Sequence, residues 1–190
     1  MIQSKQNYLS YLNADESACG KKKKSLKNFF FPDLVWQFQK SLRRYEYYTN
    51  VKRGLLGNIL QIIAYSRYRR LSLKLGFSIP KNVFGPGLSI AHYGTIVINP
   101  ATRIGKNCRI HASVNIGASG GSPKAPQIGD NVYIGPGAII FGDISIADNV
   151  SIGANATVNK SIETPNCIVA GSPAKIVKEN VSSWCQAKLI

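Results

Sequence analysis

From Ile128 to Val158 the chain reads IGDNVYIGPGAIIFGDISIADNVSIGANATV, and an aliphatic residue opens every sixth position: Ile128, Ile134, Ile140, Ile146, Ile152 and Val158. A small or apolar residue stands two places before most of these openings, at Val132, Ala138, Ile144, Val150 and Ala156. Apolar residues at i−2 and i describe a short strand with one face turned inward. Gly follows the opening residue at 129, 135 and 153, where the chain must turn without a side chain in the way. A few extended residues, a corner, and the same again predict an all-β solenoid. Each hexad is one side of a coil, and stacked coils bury a core that no single repeat could bury alone. A β-sandwich fits less well, because its strands recur at looser spacings of roughly 8–12 residues.

Working outward, the same register holds at Ile104, Ile110 and Ile116, with Cys108 and Val114 at the inward i−2 places, and earlier at Phe84, Ile90 and Ile96. A two-residue slip falls near Asn99-Pro100, and extra length between Ile116 and Ile128 makes a Gly/Ser-rich loop from Gly117 to Gln127. Surplus loops on a rigid scaffold are common places for function. After Val158 the hexads fade into Ala170-Gly171-Ser172-Pro173-Ala174-Lys175, which ends the stack. The expected organisation is a mobile basic tail over 1–30, an α-helical segment over 31–76, the solenoid over 77–178 and a C-terminal tail over 179–190.

Before the solenoid the spacing is helical. Leu34, Val35, Phe38 and Leu42 form one face, and Leu55 to Ile63 form a second, more apolar segment behind a break at Gly54 and Gly57. The charge lies here too. Residues 1–80 carry 15 Lys+Arg against 4 Asp+Glu, while 81–190 carry 9 against 5, within a total of +15. Eleven residues from Leu55 to Tyr65 are too few to span a bilayer, which needs about 20. Basic flanks could seat the segment on an anionic membrane surface, and packing on its neighbours or on another subunit is the alternative. Tyrosines interleave with arginines, yet no nucleic-acid module is present, so no nucleic-acid partner is expected.

Cys19, Cys108, Cys167 and Cys185 show neither CxxC spacing nor a disulfide framework, so a reducing, cytoplasmic setting is expected. There are two histidines. His92 is the third residue of its hexad and belongs at an exposed corner. Three hexads plus the slip carry Ile90 onto Ile110, so His111 should lie one coil above Ala91, about 4.8 Å along the axis. Two histidines without clustered carboxylates do not make a zinc site, so no metal is expected. An exposed histidine beside a flexible loop suits general-base activation of a hydroxyl.

The hexads, the segment Ser89-Ile90-Ala91-His92-Tyr93-Gly94-Thr95-Ile96-Val97-Ile98, the loop entered through Ile116-Gly117-Ala118, and the closing Ala170 to Val177 together resemble hexapeptide-repeat acyltransferases of the serine O-acetyltransferase type. The resemblance implies a left-handed parallel β-helix, a homotrimer with active sites between subunits, and acetyl-CoA as donor. It also implies His92 as the catalytic base. Gly117, Ala118, Pro136, Ala154 and Lys175 would line the cofactor, and His111 is a candidate for the acceptor site. The family has Asp where this chain has Phe77 and Ala91, and a second active-site histidine where it has Ala125. The short basic helical part is similar to that of family members in surface-polysaccharide pathways, so a sugar hydroxyl stands beside L-serine as a possible acceptor. A non-catalytic trimeric scaffold, docking through its basic helices, is the competing expectation.

Overall fold

The computed structural model describes residues 1–20, 32–52 and 54–185. Three helices precede the β structure: α1 (Lys5–Ala18), α2 (Leu34–Asn50) and α3 (Gly54–Leu75). Ser4 caps α1 by accepting from the Asn7 amide at 3.0 Å, and Asp33 caps α2 by accepting from the Trp36 amide at 3.0 Å. Of the break expected at Gly54 and Gly57, Gly54 opens α3 at φ 83°, whereas Gly57 lies buried within that helix.

The expectation of a mobile tail over 1–30 is corrected at its start. Lys5–Ala18 is a docked helix, although its apolar pattern is too weak to announce one. Polar contacts hold it. Asp15 is fully buried and meets Arg43 of α2, and Tyr11 lies beneath the same guanidinium at 4.9 Å. The run Lys21–Lys24 lies outside the described residues.

The remaining chain winds through three sheets in turn. β1 (Phe77–Ser78), β3 (Ile96–Ile98), β6 (Val114–Gly117), β9 (Ile139–Phe141) and β12 (Thr157–Val158) form the first sheet. β4 (Arg103–Ile104), β7 (Gln127–Ile128) and β10 (Ser145–Ile146) form the second. The third holds β2 (Ser89–Ile90), β5 (Arg109–Ile110), β8 (Tyr133–Ile134), β11 (Ser151–Ile152), β13 (Ile168–Ala170) and β14 (Lys175–Lys178). Every pairing is parallel except β13 with β14, which closes the stack as a hairpin. Register follows the hexads. Ile134 pairs with Ile152, three hexads on, and Ile90 pairs with Ile110, which absorbs the two-residue slip. The inward residues Cys108, Val114, Val132, Ala138, Val150 and Ala156 are buried, as the i−2 rule requires.

Corners use a device absent from the hexad rule. Asn107, Asn131, Asn149 and Asn155 all take positive φ, where Asn is among the few tolerated side chains. Three of them form a ladder along the axis. Asn107 Nδ2 donates to Asn131 Oδ1 at 2.9 Å, and Asn131 Nδ2 donates to Asn149 Oδ1 at 3.0 Å. In the C-terminal tail, Val181 donates to the Asn166 carbonyl at 2.9 Å, and Trp184 Nε1 donates to the Asn107 carbonyl at 2.9 Å.

The helices clamp the first coil by a buried ion cluster. Arg43 Nε donates to Asp15 Oδ2 at 2.8 Å, Nη1 donates to Glu46 Oε2 at 3.0 Å and the Phe84 carbonyl at 2.9 Å, and Nη2 donates to the Gly85 carbonyl at 2.6 Å. Burial by itself lowers the pKa of the guanidinium, but Glu46 and Asp15 outweigh it, so Arg43 is held charged. The second oxygen of each carboxylate is met by backbone donors. Asp15 Oδ1 accepts from the Gly87 and Leu88 amides at 2.8 Å each, and Glu46 Oε1 accepts from Asn82 at 2.7 Å. Together with Gln39, whose Nε2 donates to the Leu88 carbonyl at 2.7 Å, these contacts fix the strip that leads to residue 92.

Candidate active site

His92 follows β2 at the corner between the third and first sheets, and it is exposed. Because Ile90 pairs with Ile110, His111 occupies the corner one coil on, and the imidazole centroids are 5.9 Å apart. The two histidines lie on one edge, as expected from the spacing, with their rings tilted by 55°. The same register carries the edge onward through Gly135-Pro136 and Gly153-Ala154. His92, His111, Pro136 and Ala154 therefore share one edge of the coil. Lys175 is exposed and pairs with Ala170, next along that edge. Gly117 does not join them. It ends β6 opposite Phe141, at the corner leaving the first sheet, and Ala118 follows it.

A pocket of about 290 Å³ opens beside His92, where the helical part meets the coil. Its lining includes His92, Tyr93 and Arg109 from the coil, and Asp33, Trp36 and Gln39 from the entrance to α2. Arg109 lies on the strand position paired with Ser89 and donates to Ser89 Oγ at 3.2 Å. The site thus holds both a carboxylate and a guanidinium. Neither residue stands out in the sequence. Arg109 could have been placed from the register that located His111, whereas Asp33 is nearly sixty residues from His92 and reaches the pocket only because α2 packs there.

Burial, and then the charges of Arg109 and His92, hold the His111 imidazole below its usual pKa, so it is neutral near pH 7. Its Nε2 is buried without a hydrogen-bond partner, and its ring lies 5.1 Å from that of Tyr133. Among the described residues none hydrogen-bonds the His92 imidazole. Burial pushes the Cys108 thiol far up, and its side chain points into the core, so it has no character as a nucleophile.

Two of the three departures noted in the sequence, Phe77 and Ala125, have structural meanings. Phe77 is buried and lies edge-on to Phe38 at 4.9 Å, so it ties α2 to the first coil rather than orienting a histidine. Ala125 is buried and faces away from solvent. The interleaved tyrosines pack mainly on one another, as Tyr45 on Tyr68 at 5.3 Å and Tyr8 on Tyr47 at 5.0 Å. Among the described residues no group of three His, Cys, Asp or Glu side chains is arranged to hold a metal ion.

With this geometry in place, residues 125–160 match the bacterial transferase hexapeptide family (six repeats). The serine acetyltransferase of Buchnera aphidicola subsp. Schizaphis graminum is 32% identical over 183 residues, covering 91% of this chain and 67% of that protein. That of Mycobacterium tuberculosis is 35% identical over 106 residues, 55% of this chain, and here the chain spans only 46% of the relative's length. Among solved structures, the serine acetyltransferase of Neisseria gonorrhoeae superposes with a TM-score of 0.73 at 25% identity, over 98% of this chain and 72% of that one. The same protein in complex with serine gives 0.68 at 26% identity, over 92% and 71%.

Proposed function

The chain belongs to the serine acetyltransferase family, and from that premise we propose that it moves the acetyl group of acetyl-CoA to a hydroxyl, with His92 as general base. The observation that carries this reading is the position of His92: solvent-facing, at the mouth of a pocket, and on the edge shared with Pro136 and Ala154. His92 accepts the proton of the acceptor hydroxyl as its oxygen attacks the thioester carbonyl. The tetrahedral intermediate collapses with loss of the CoA sulfur, which takes the proton back from the imidazolium. Backbone N–H groups of the Gly117-Ala118 turn would hold the oxyanion. No covalent acyl-enzyme and no metal enter this route.

L-Serine is the acceptor this pocket suits best. Losing carboxylates at Phe77 and Ala91 argues against an amino acid when only the sequence is considered, but Asp33 supplies a carboxylate for the ammonium group and Arg109 a guanidinium for the carboxylate. A sugar hydroxyl in surface-polysaccharide synthesis is the second reading, supported by the lack of a carboxylate at Phe77 and Ala91.

Gly117 and Ala118 lie on a different edge from His92, so one chain does not bring the two halves of the site together. This supports a homotrimer in which one copy's Gly117 edge faces another's His92 edge, and a left-handed sense for the coil accompanies it. Cys108 and Cys167 are thiols held in the coil, which suits a cytoplasmic setting. Lys175, at the closing hairpin, would meet the phosphates of CoA.

The test is CoA release from acetyl-CoA with L-serine and with a panel of sugars and nucleotide-sugars, using His92→Ala as the blank. Loss of a general base is expected to cost about 10²–10⁴-fold. Release with serine that depends on His92 supports the first reading, and release with a sugar supports the second. If no acceptor gives His92-dependent release, the chain is a non-catalytic scaffold.

A further inference from the structure

α3 packs on the rest of the chain through Gly57, Ala64, Tyr68, Ser72 and Leu75, one stripe of the helix. The stripe opposite is not polar. Leu55 is 80% exposed, Leu56 69%, Ile59 47%, Ile62 67% and Ile63 60%. Leu73, about five turns on from Leu55, continues it at 68%. Among the described residues nothing covers this face, so of the alternative open from sequence, packing on neighbouring elements or on another subunit, only the second remains to be weighed. Arg67, Arg69, Arg70 and Lys74 follow on the exposed surface, and the helix contains no Asp or Glu. Along its axis the outer face therefore runs from aliphatic to cationic.

We infer that the outer face of α3 seats this protein on the anionic leaflet of a phospholipid bilayer. Aliphatic side chains at the acyl boundary, with arginines at the headgroups, describe a helix lying in the interface plane. Among the described residues no helix is long and apolar enough to cross a membrane, so the contact is peripheral. A second copy is the other occupant to weigh. Pairing α3 with itself in parallel brings Arg67, Arg69 and Arg70 of two chains together, and pairing it antiparallel sets them against the other copy's aliphatic stretch, in both cases with no carboxylate on either helix to neutralise them. An anionic surface removes that repulsion and covers the aliphatics at once.

The test is co-sedimentation of the full chain with phosphatidylglycerol/phosphatidylcholine vesicles and with phosphatidylcholine alone, without acetyl-CoA, so that it is independent of the catalytic reading. Two variants accompany it: Ile59→Asp/Ile63→Asp and Arg67→Glu/Arg70→Glu. All four positions are exposed, and unchanged melting temperatures confirm folding. The expected result is binding that requires the anionic lipid and falls at least tenfold in both variants. Because the charge of Lys21–Lys24 would also favour an anionic vesicle, the variants decide the matter. Variants that bind like the parent chain, or a parent chain that binds neither vesicle, overturn the inference. So does a fall in oligomer mass for Ile59→Asp/Ile63→Asp with no effect on vesicle binding, which assigns the face to a second copy.

Discussion

Replacing Asp15 by Asn removes one negative charge from a fully buried cluster and changes little else. Asp15 accepts four hydrogen bonds: from Arg43 Nε at 2.8 Å, Arg43 Nη2 at 3.2 Å, and the Gly87 and Leu88 amides at 2.8 Å each. All four donors converge on two oxygens. An asparagine must turn its NH₂ toward one set of donors whichever way it lies, and it leaves the Arg43 charge opposed by Glu46 alone. Removing one partner of a buried ion pair costs about 3–5 kcal/mol. For a chain of this size each kcal/mol moves the melting temperature by roughly 2–4 °C, so Asp15→Asn should melt roughly 6–20 °C lower. The assay is thermal denaturation followed by circular dichroism at pH 7. Glu16→Gln, an exposed neighbour on the same helix, serves as control and should change stability by no more than about 0.5 kcal/mol. A melting temperature for Asp15→Asn within about 2 °C of the parent chain would refute the reasoning, because surface substitutions alone produce changes of that size.

The folded protein should lose stability as the pH falls below about 6.5, since a histidine whose pKa is lowered by folding binds its proton more readily in the unfolded chain. His111 faces Arg109, His92 and Tyr133. His111→Asn should flatten the slope of urea-unfolding free energy between pH 7.5 and 5.5, and an unchanged slope would exonerate this residue. A Cβ at Gly135 would lie 2.8 Å from both the Ala154 amide nitrogen and the Ile152 carbonyl oxygen, so Gly135→Ala should cost about 1–3 kcal/mol in chemical denaturation. Asn131→Ala gives up two ladder bonds and leaves a Cβ-bearing residue at φ 58°, a backbone cost of about 1–2 kcal/mol. Asn131→Gly should recover the backbone part and not the ladder part.

The coil was legible almost residue by residue. A period of six repeats the same local event, an inward aliphatic and a corner, and the strand spacing is fixed by backbone hydrogen bonding, so register follows from counting. That is why His111 could be placed beside His92 across nineteen residues, slip included. The asparagine ladder was in the same letters. It went unread because a corner Asn signals left-handed backbone, and the bonds between coils appear only once the corners are stacked.

The helical part was legible only in outline. α2 and α3 show in their apolar spacing, but α1 does not, because the contact that docks it is ionic. Sequence displays charges without their partners: Asp15 and Arg43 lie twenty-eight residues apart, and nothing local marks them as a pair. The acceptor pocket follows the same rule. Sequence alone determined the coil, its register and the edge on which His92 stands, because these rest on local repetition and a fixed strand spacing. Tertiary structure alone decided that Asp33 and Arg109 line one pocket with His92, that Phe77 is a packing residue, and that none of the described residues covers the aliphatic face of α3. Each of those depends on which surfaces of the helices and the coil come together, and hydrophobic periodicity does not encode that choice.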